Sequence, residues 1–310
     1  MRRFLVLATQ PAIEKMRLAT FTHGSSTRIG VVRGEEIVDL GAAEPSLPRE
    51  MKAFLAAGAD ALDRARNAAA RSGNRLGLIE VKLQAPVNEP QKFLAAGLNY
   101  AEHIAETGRE KPFFPTFFNK QSSCVNAPFD PVWIPRGEKP RTDYEGELAF
   151  VIGKRCRRVP KERAHEVIAG YTIVDDVSVR DWQRWAVTMT LGKSWDTHGP
   201  MGPWIVTADE ISDPHDLELR TWVNRDLRQS SNTKHMIFNC FDMVETLSKA
   251  FTLLPGDVVS TGTPSGVGVA MEPKQFLNPG DVVRIEISEI GYIEHTFIEE
   301  PGDTEVIGER

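Results

Sequence analysis

The sequence predicts a mixed α/β protein that is rich in β-strands, with a small N-terminal α+β domain and a larger domain after it. Short apolar runs that end at glycine, proline or other turn residues recur along most of the chain. Helical periodicity is confined to a few stretches, and the strands do not alternate with helices, so repeated βα units are not expected. Pro86 and Pro90 lie in a connector over residues 73–92, which separates the two parts.

The N-terminal part is predicted to be a small β-meander with one helix. The strand-like runs are residues 17–21, 27–32 and 36–40. An alanine-rich stretch over residues 49–72 has apolar residues at helical spacing. We place the boundary near residue 88, which predicts domains of residues 1–88 and 89–310. Met16 offers a second start, so residues 1–15 are interpreted as an extension.

The larger domain is predicted to consist mainly of strands. These strands are expected at residues 92–95, 115–120, 146–152, 170–176, 204–207, 217–224, 257–261, 281–287 and 292–297. Helices are expected at residues 164–168 and 241–251. The Pro-Gly-Asp sequences at residues 255–257 and 279–281 each predict a turn that leads into a strand.

Composition narrows the classes of function. The 310 residues are 41% hydrophobic and carry a net charge of -6, so we expect a sizeable core and neither nucleic acid nor a membrane as partner. No run approaches the roughly 20 apolar residues of a membrane span. The three cysteines are far apart, which predicts neither a disulfide framework nor a structural zinc site. Together with an N-terminal apolar run too short for a secretory signal, they favour a cytoplasmic protein.

Glu145 and Glu147 open an apolar run that is predicted to be a strand. Residues i and i+2 of a strand face the same side, so the two carboxylates should lie next to each other. Their repulsion favours a hard cation such as Mg²⁺, which prefers oxygen ligands. Gly146 leaves the opposite face free for a close neighbour. A solvated strand edge with two exposed glutamates is the alternative.

A second acidic pair, Asp175 and Asp176, ends the next strand-like run. Alternation places the two side chains on opposite faces, so only one of them is expected to join the glutamates. A helix-start pattern follows, and capping by Asp176 or Asp181 is the alternative role.

His103 and Glu106 have the spacing of neighbours on a helical turn. Glu106 would then hold and polarise His103, which makes the pair a candidate general base for water. An ordinary surface His–Glu pair is the alternative. The polar residues 107–112 that follow have the composition of a mobile lid.

Two further segments are suited to an anionic substrate. Lys193 follows a glycine, and residues 261–268 form a glycine-rich loop that contains Thr263. The loop lacks the features of a nucleotide-binding fingerprint, but its backbone N–H groups and the Thr263 hydroxyl are suited to a carboxylate. A tight β-turn made rigid by proline is the alternative.

Taken together, these segments resemble the fumarylacetoacetate hydrolase family. The matching pieces, in chain order, lie within residues 97–106, 118–120, 143–148, 170–171, 176–183, 191–194 and 261–268. The resemblance implies a β-sandwich roll like the C-terminal domain of that family, behind a small N-terminal domain, and a homodimer. It also implies a Mg²⁺ or Mn²⁺ cofactor and a small 2-oxo acid as substrate.

The resemblance implies specific roles for nine residues. Glu145, Glu147 and Asp176 match the metal ligands, and His103 with Glu106 matches a water-activating dyad on the lid. Of the other four residues, Lys193 matches a catalytic lysine beside the metal. Arg180, Gln183 and Thr263 match positions in contact with substrate.

The activity expected from this resemblance is hydrolysis of a C–C bond in a 2,4-dioxo acid, in aromatic or sugar-acid catabolism. Oxaloacetate decarboxylation and hydroxymuconate-type isomerisation or decarboxylation are alternatives, because all of these reactions use a metal to stabilise an enolate. A non-catalytic protein that binds a small organic acid is a further alternative. The aromatic residues within 113–118 and 182–189 are expected either in the distal pocket or in the core or dimer interface.

Overall fold

Two β-sheets that pack against each other make up most of the molecule. The computed structural model describes residues 16–137, 140–185 and 187–302. The interpretation of residues 1–15 as an extension concerns residues outside these ranges. The described strands are β1 (Arg17–His23), β2 (Ser26–Arg33), β3 (Glu36–Asp39), β4 (Arg75–Gly77), β5 (Lys82–Gln84), β6 (Phe93–Gly97), β7 (Thr116–Lys120), β8 (Val125–Asn126), β9 (Val132–Ile134), β10 (Thr142–Asp143), β11 (Gly146–Ile152), β12 (Ile168–Asp175), β13 (Ser178–Val179), β14 (Gly199–Thr207), β15 (Glu218–Val223), β16 (Asp226–Asn232), β17 (Val258–Ser260), β18 (Val282–Ile287) and β19 (Gly291–Glu299).

The helices are short and lie between the strands. The described α-helices are α1 (Leu40–Ala43), α2 (Met51–Ala56), α3 (Gly58–Arg71), α4 (Ala101–Thr107), α5 (Arg180–Trp185), α6 (Thr190–Lys193) and α7 (Cys240–Ala250). Short 3-10 helices cover Leu78–Glu80, Ser122–Cys124, Lys161–Val167, Ala208–Glu210, Thr233–His235 and Gly268–Ala270. The predicted β-rich, mixed α/β fold class is therefore confirmed.

The larger sheet joins the N-terminal strands to the rest of the chain. Its main path runs β4-β3-β2-β1-β14-β12-β11-β17-β6-β7, and β5 and β8 pair at its side. Most neighbours are antiparallel, whereas β17 and β6 are parallel. Leu18 of β1 pairs with Ile205 of β14, so hydrogen bonding is continuous past residue 88. The boundary near residue 88 stays a prediction.

The second sheet, in the order β16-β15-β18-β19-β9, covers one face of the larger sheet. Strand β11 shows how the two faces are used, because its side chains alternate. Leu148 and Phe150 join a core shared with Ile285 of β18. Ala149 and Val151 point the other way, into a core built with helices α2 and α3. Both faces of β11 are therefore buried, which is why the strand is apolar after its first two residues.

The structure differs from the sequence expectation in three places. The helix expected at residues 49–72 is two helices, because Gly58 has a φ of 77° where α3 follows α2. Strand β16 was not expected, because its sequence is polar and it lies at the edge of its sheet. The 3-10 segment Lys161–Val167 replaces the short helix expected at residues 164–168.

The three cysteines are free and buried. Within the described ranges, the helices are all too short or too polar to cross a membrane.

The burial of His198 in the core predicts how the free energy of unfolding depends on pH. The ring is fully buried, and its Nε2 donates a hydrogen bond to the Trp133 carbonyl oxygen at 2.7 Å. Burial lowers the pKa of His198 from 6.5 to about 3. Between pH 6.5 and about pH 3, His198 binds a proton in the unfolded chain but not in the folded protein. The free energy of unfolding therefore falls as the pH falls through this range.

Urea unfolding of wild type and His198→Gln between pH 7 and pH 4 measures this effect. The wild-type free energy of unfolding should fall more steeply below about pH 6.5, by about 1.4 kcal/mol per pH unit. The exposed His235→Gln is the matched control and should keep the wild-type slope. Equal slopes in wild type and His198→Gln would contradict the assignment.

Candidate metal centre

Glu145 and Glu147 lie at the start of the central strand β11, and both are buried. They face the same side, as the i, i+2 spacing predicts, and the solvated-edge alternative is therefore wrong. A Cβ at Gly146 would lie 2.3 Å from Thr221 Oγ1 on the second sheet, so only glycine fits between the two glutamates. The sheet packing thus fixes which face the carboxylates occupy.

Asp176 joins the two glutamates from the end of β12. Its backbone N–H donates to the Glu145 carbonyl oxygen at 2.9 Å, directly after the last β11–β12 pair. The carboxylates of Glu145, Glu147 and Asp176 each offer an oxygen within 4.8 Å of the others. Asp175 points to the opposite face, where it accepts the Glu145 N–H at 2.9 Å and contacts His295 Nε2 at 2.9 Å. Of the two aspartates, only Asp176 enters the cluster.

Three buried cations compensate part of this negative charge. Lys193 Nζ lies 2.6 Å from Glu145 Oε2 and 2.7 Å from Asp176 Oδ2. Lys120 Nζ lies 2.8 Å from Asp176 Oδ1. Arg180 donates to Glu145 Oε1 at 2.6 Å. Burial by itself would raise the pKa of Glu145, but Lys193 and Arg180 hold that pKa well below its usual range.

Glu147 has weaker compensation than Glu145. It accepts hydrogen bonds from Ser260 Oγ at 2.5 Å and from the Gly262 N–H at 2.9 Å. Burial raises the pKa of Glu147 well above its usual value, and the charges of Asp176 and Glu145 raise it further. A divalent cation beside Glu147 would offset this repulsion between carboxylates.

This donor set fits a hard divalent cation. Carboxylate oxygens are the ligands that Mg²⁺ and Mn²⁺ prefer, and a divalent cation would relieve the repulsion among three carboxylates in one place. The oxygen cluster and the raised pKa of Glu147 are both expected of residues that bind such an ion. These properties do not discriminate between the two metals.

His103 and Glu106 lie on helix α4, as the spacing predicts. His103 Nδ1 is 2.7 Å from Glu106 Oε1, and His103 is buried. The other Glu106 oxygen accepts the Gly266 N–H at 2.8 Å, so the glycine-rich loop holds the carboxylate in place. This second bond makes the pair more constrained than an ordinary surface pair.

The remaining predicted substrate contacts are engaged with the protein itself. Thr263 donates to the Gly146 carbonyl oxygen at 3.1 Å and accepts from Gln229 Nε2 at 2.7 Å. The Gln183 side-chain oxygen accepts from Arg180 at 3.1 Å. A Cβ at position 192 would lie 2.2 Å from the Gln183 nitrogen, so Gly192 allows helices α5 and α6 to touch. That contact places Lys193 beside the carboxylates.

One cavity of about 790 Å³ brings all but one of the predicted residues together. The sequence-predicted residues that line it are His103, Glu106, Glu145, Glu147, Arg180, Gln183, Lys193 and Thr263. Asp176 lies beneath the floor, where Lys193 contacts it. Phe118, Val187 and Met189 form part of the apolar wall, as the distal-pocket interpretation expects. Phe113 and Trp185 are exposed, which excludes a place in the monomer core for these two.

Sequence reasoning gave no role to three residues that support the site. Lys120 lies at an inward position of β7, two residues after the buried Phe118, and this alternation is the signal that would have found it. Asp143 accepts from Arg180 Nε at 2.8 Å and from the Gly268 and Val269 N–H groups. Gln229 accepts the Gly146 N–H at 3.0 Å. Neither of the last two roles has a local sequence signal, because the partners are distant in the chain.

A β-rich fold whose central strand carries buried carboxylates into a cavity is characteristic of a metal-dependent enzyme. The family model for the fumarylacetoacetate (FAA) hydrolase C-terminal domain matches residues 92–298. This chain belongs to the fumarylacetoacetate hydrolase family and is an enzyme of that family, as the resemblance implied.

Individual relatives have different activities. An oxaloacetate tautomerase, fahd2, from Xenopus laevis is 43% identical over 298 residues, which cover 94% of this chain and 93% of the relative. The structure of maleylpyruvate hydrolase from Sphingobium sp. SYK-6, with manganese(II) and pyruvate bound, has a TM-score of 0.77 at 36% identity. The alignment covers 92% of this chain and all of that one. A 2-hydroxyhepta-2,4-diene-1,7-dioate isomerase from Mycobacterium marinum has a TM-score of 0.73 at 32% identity, with 92% and 99% covered.

These relatives correct the predicted localisation. The Xenopus tautomerase and its bovine and human counterparts are named as mitochondrial proteins, so the prediction of a cytoplasmic protein is wrong. That prediction rested partly on unpaired cysteines. Free buried thiols are compatible with any reducing compartment and therefore do not identify the cytoplasm.

Replacing Glu147 tests the carboxylate cluster. Glu147→Gln removes one anionic ligand and should weaken Mn²⁺ binding, measured by calorimetry, by at least the roughly 10–100-fold that outer-shell partners are worth. The exposed Glu35→Gln is the control for the loss of one negative charge and should bind Mn²⁺ as wild type does. Unchanged Mn²⁺ affinity in Glu147→Gln would exclude it as a ligand.

Proposed function

We propose that this protein is a metal-dependent oxaloacetate tautomerase, which interconverts the enol and keto forms of a 2-oxo dicarboxylic acid. One observation carries the proposal: a constrained acid–base pair and a buried cluster of three carboxylates meet at the same cavity. The 43% identity to a tautomerase over nearly the whole chain supports this reaction above the others.

The metal site would consist of Glu145, Glu147 and Asp176. A bound Mg²⁺ or Mn²⁺ supplies a Lewis acid that polarises the 2-oxo group and stabilises enolate charge. Lys193 and Arg180 fix the orientation of the Glu145 carboxylate through their short ion pairs. Gly262 and Ser260 do the same for Glu147, so the ligand oxygens are positioned before substrate binds.

His103 would move the proton between C3 and the enol oxygen. Its Nδ1 donates to Glu106, which stabilises the imidazolium that forms when the other ring nitrogen accepts a proton. This proton transfer is the whole reaction, because the enol oxygen loses one proton and C3 gains one. Glu106 stays in place because Gly266 binds its second oxygen.

Hydrolysis of an acylpyruvate-type diacid is the second candidate. The same dyad can remove a proton from water, and the 36% identical maleylpyruvate hydrolase supports this use. In that reaction Lys193 would be catalytic, as the family resemblance implies. The substrate contacts would come from Arg180, Gln183 and Thr263. Isomerisation and decarboxylation need no attacking water, and the related dioate isomerase supports the former.

We further propose that the protein is a homodimer. Trp185, Val187 and Leu191 are 72%, 99% and 59% exposed, and Phe113 is fully exposed. Apolar side chains in this number beside a cavity are typical of an interface. A second copy of the chain would cover them.

A substrate panel tests the reaction. Purified protein with Mn²⁺ is expected to speed the decay of the ultraviolet absorbance of enol-oxaloacetate without releasing pyruvate. Maleylpyruvate and acetylpyruvate in the same panel report C–C cleavage by pyruvate release. Faster cleavage of either acid than tautomerisation of oxaloacetate would favour the hydrolase instead.

His103→Ala tests the dyad. Tautomerisation should slow by about 10²–10⁴-fold, which is the usual contribution of a general acid–base. Mn²⁺ affinity should stay at the wild-type level, because His103 is not a member of the carboxylate cluster. If the variant instead lost Mn²⁺ and regained full turnover when excess metal was added, His103 would be a metal-site residue.

A further inference from the structure

The cavity that holds the carboxylate cluster has a second, basic zone at its mouth. Arg109, Arg184 and Lys274 line the cavity and are exposed, whereas Glu145 and Lys193 at its floor are buried. These three cations come from separate segments: the turn after α4, helix α5, and the loop that precedes β18. Their convergence gives the cavity an acidic floor and a largely basic mouth.

The three mouth cations differ from the buried ones in having no partner within the described part of the chain. Arg180, Lys193 and Lys120 are all held in ion pairs with carboxylates. The side chains of Arg109, Arg184 and Lys274 make neither a hydrogen bond nor an ion pair with any residue that the structure describes. Among the described residues that line the cavity, Glu272 is the one exposed acidic side chain. Positive charge is therefore available at the mouth for an anion from solution.

Arg184 has the most defined position of the three. It lies four residues after Arg180 on α5, so both arginines share one face of the helix. Arg180 contacts Glu145 at the floor, which places Arg184 one turn further out along the same wall. A guanidinium there can bind a carboxylate in bidentate geometry.

The loop that carries Lys274 is anchored from inside. Asp143 accepts the N–H groups of Gly268 and Val269, both at 2.9 Å, and the Gln275 N–H donates to the Gly268 carbonyl oxygen at 3.0 Å. Lys274 therefore projects from a fixed backbone. Arg109 follows Gly108, the left-handed residue that ends α4 immediately after the dyad.

We propose that Arg184, with Lys274 and Arg109, forms a subsite for the distal carboxylate of the substrate and so selects 2-oxo dicarboxylates over 2-oxo monocarboxylates. This inference rests on the proposed function, in which the 2-oxo acid end lies at the carboxylate cluster. Oxaloacetate, maleylpyruvate and the heptadienedioate in the names of the three relatives are all dicarboxylates. An acid with charge at both ends matches a cavity that would hold a metal cation at its floor and carries exposed cations at its mouth.

Exposed cations at the mouth should also make substrate binding depend on ionic strength. The chain carries a net charge of -6, which repels an anionic substrate at long range. A local group of three cations at the entrance reverses that field where the substrate enters. Binding of a diacid should therefore weaken with added salt more than binding of a monoacid does.

Calorimetry with the Mn²⁺-loaded full chain tests the subsite, with 2-oxoglutarate and 2-oxopentanoate as probes. The two acids have the same number of carbons and differ only in the distal carboxylate. Wild type should bind the diacid at least about tenfold more tightly, and Arg184→Gln should remove most of that preference while leaving the monoacid affinity unchanged. Arg184→Lys should restore part of it. Arg225→Gln, an exposed arginine in the β15–β16 turn, is the matched control and should behave as wild type.

Two results would overturn the subsite: an unchanged diacid preference in Arg184→Gln, or an equal loss of affinity for both acids. The substrate panel separates this failure from failure of the proposed function. Diacid preference that depends on Arg184, without turnover of any acid in the panel, would retain the subsite and reject the tautomerase. Tautomerisation without any preference for the diacid would retain the tautomerase and reject the subsite.

Discussion

Charge compensation among buried side chains is the constraint on which the rest of this structure depends. Glu145, Glu147 and Asp176 lie together and are all buried, and burying such charges is unfavourable unless they are paired. Lys193 and Arg180 supply that pairing from helices after β12. The helices have to pack closely against the strands to reach the carboxylates, so the local fold around the cavity follows from the electrostatics. A divalent cation would relieve the repulsion from Asp176 and Glu145 that raises the pKa of Glu147.

Strand β11 connects this site to the stability of the molecule. Its side chains alternate between the core under the second sheet and the core under the N-terminal helices, and the glutamates share the second face. A shift of register by one residue would turn both carboxylates into the opposite core. Gly146 prevents this shift, because Thr221 and Ile285 fill the space where a side chain would lie. The geometry of the candidate site is therefore maintained by the same packing that holds the sheets together.

The acid–base pair is tied to the carboxylates through the glycine-rich loop. Gly262 binds Glu147 and Gly266 binds Glu106, so a few residues after β17 position both groups. In the proposed function, such a platform would supply a polarised 2-oxo group and a mobile proton without dictating which bond changes. This explains why relatives with the same fold are tautomerases, hydrolases and isomerases. In the proposed subsite, the groups at the mouth of the cavity are the part of the site that would choose among acids.

The sequence by itself determined the β-rich fold class, the family, the shared face of Glu145 and Glu147, and the His103–Glu106 pair, because each depends on local alternation, helical spacing or motif order. It did not determine the supporting roles of Lys120, Asp143 and Gln229, nor the basic mouth of the cavity. Their partners lie far away in the chain, and only tertiary packing brings them together. The sequence did not determine the cellular compartment either, because free cysteines are compatible with every reducing environment. Contacts between segments distant in sequence leave no local periodic signal, which is the physical reason for this division.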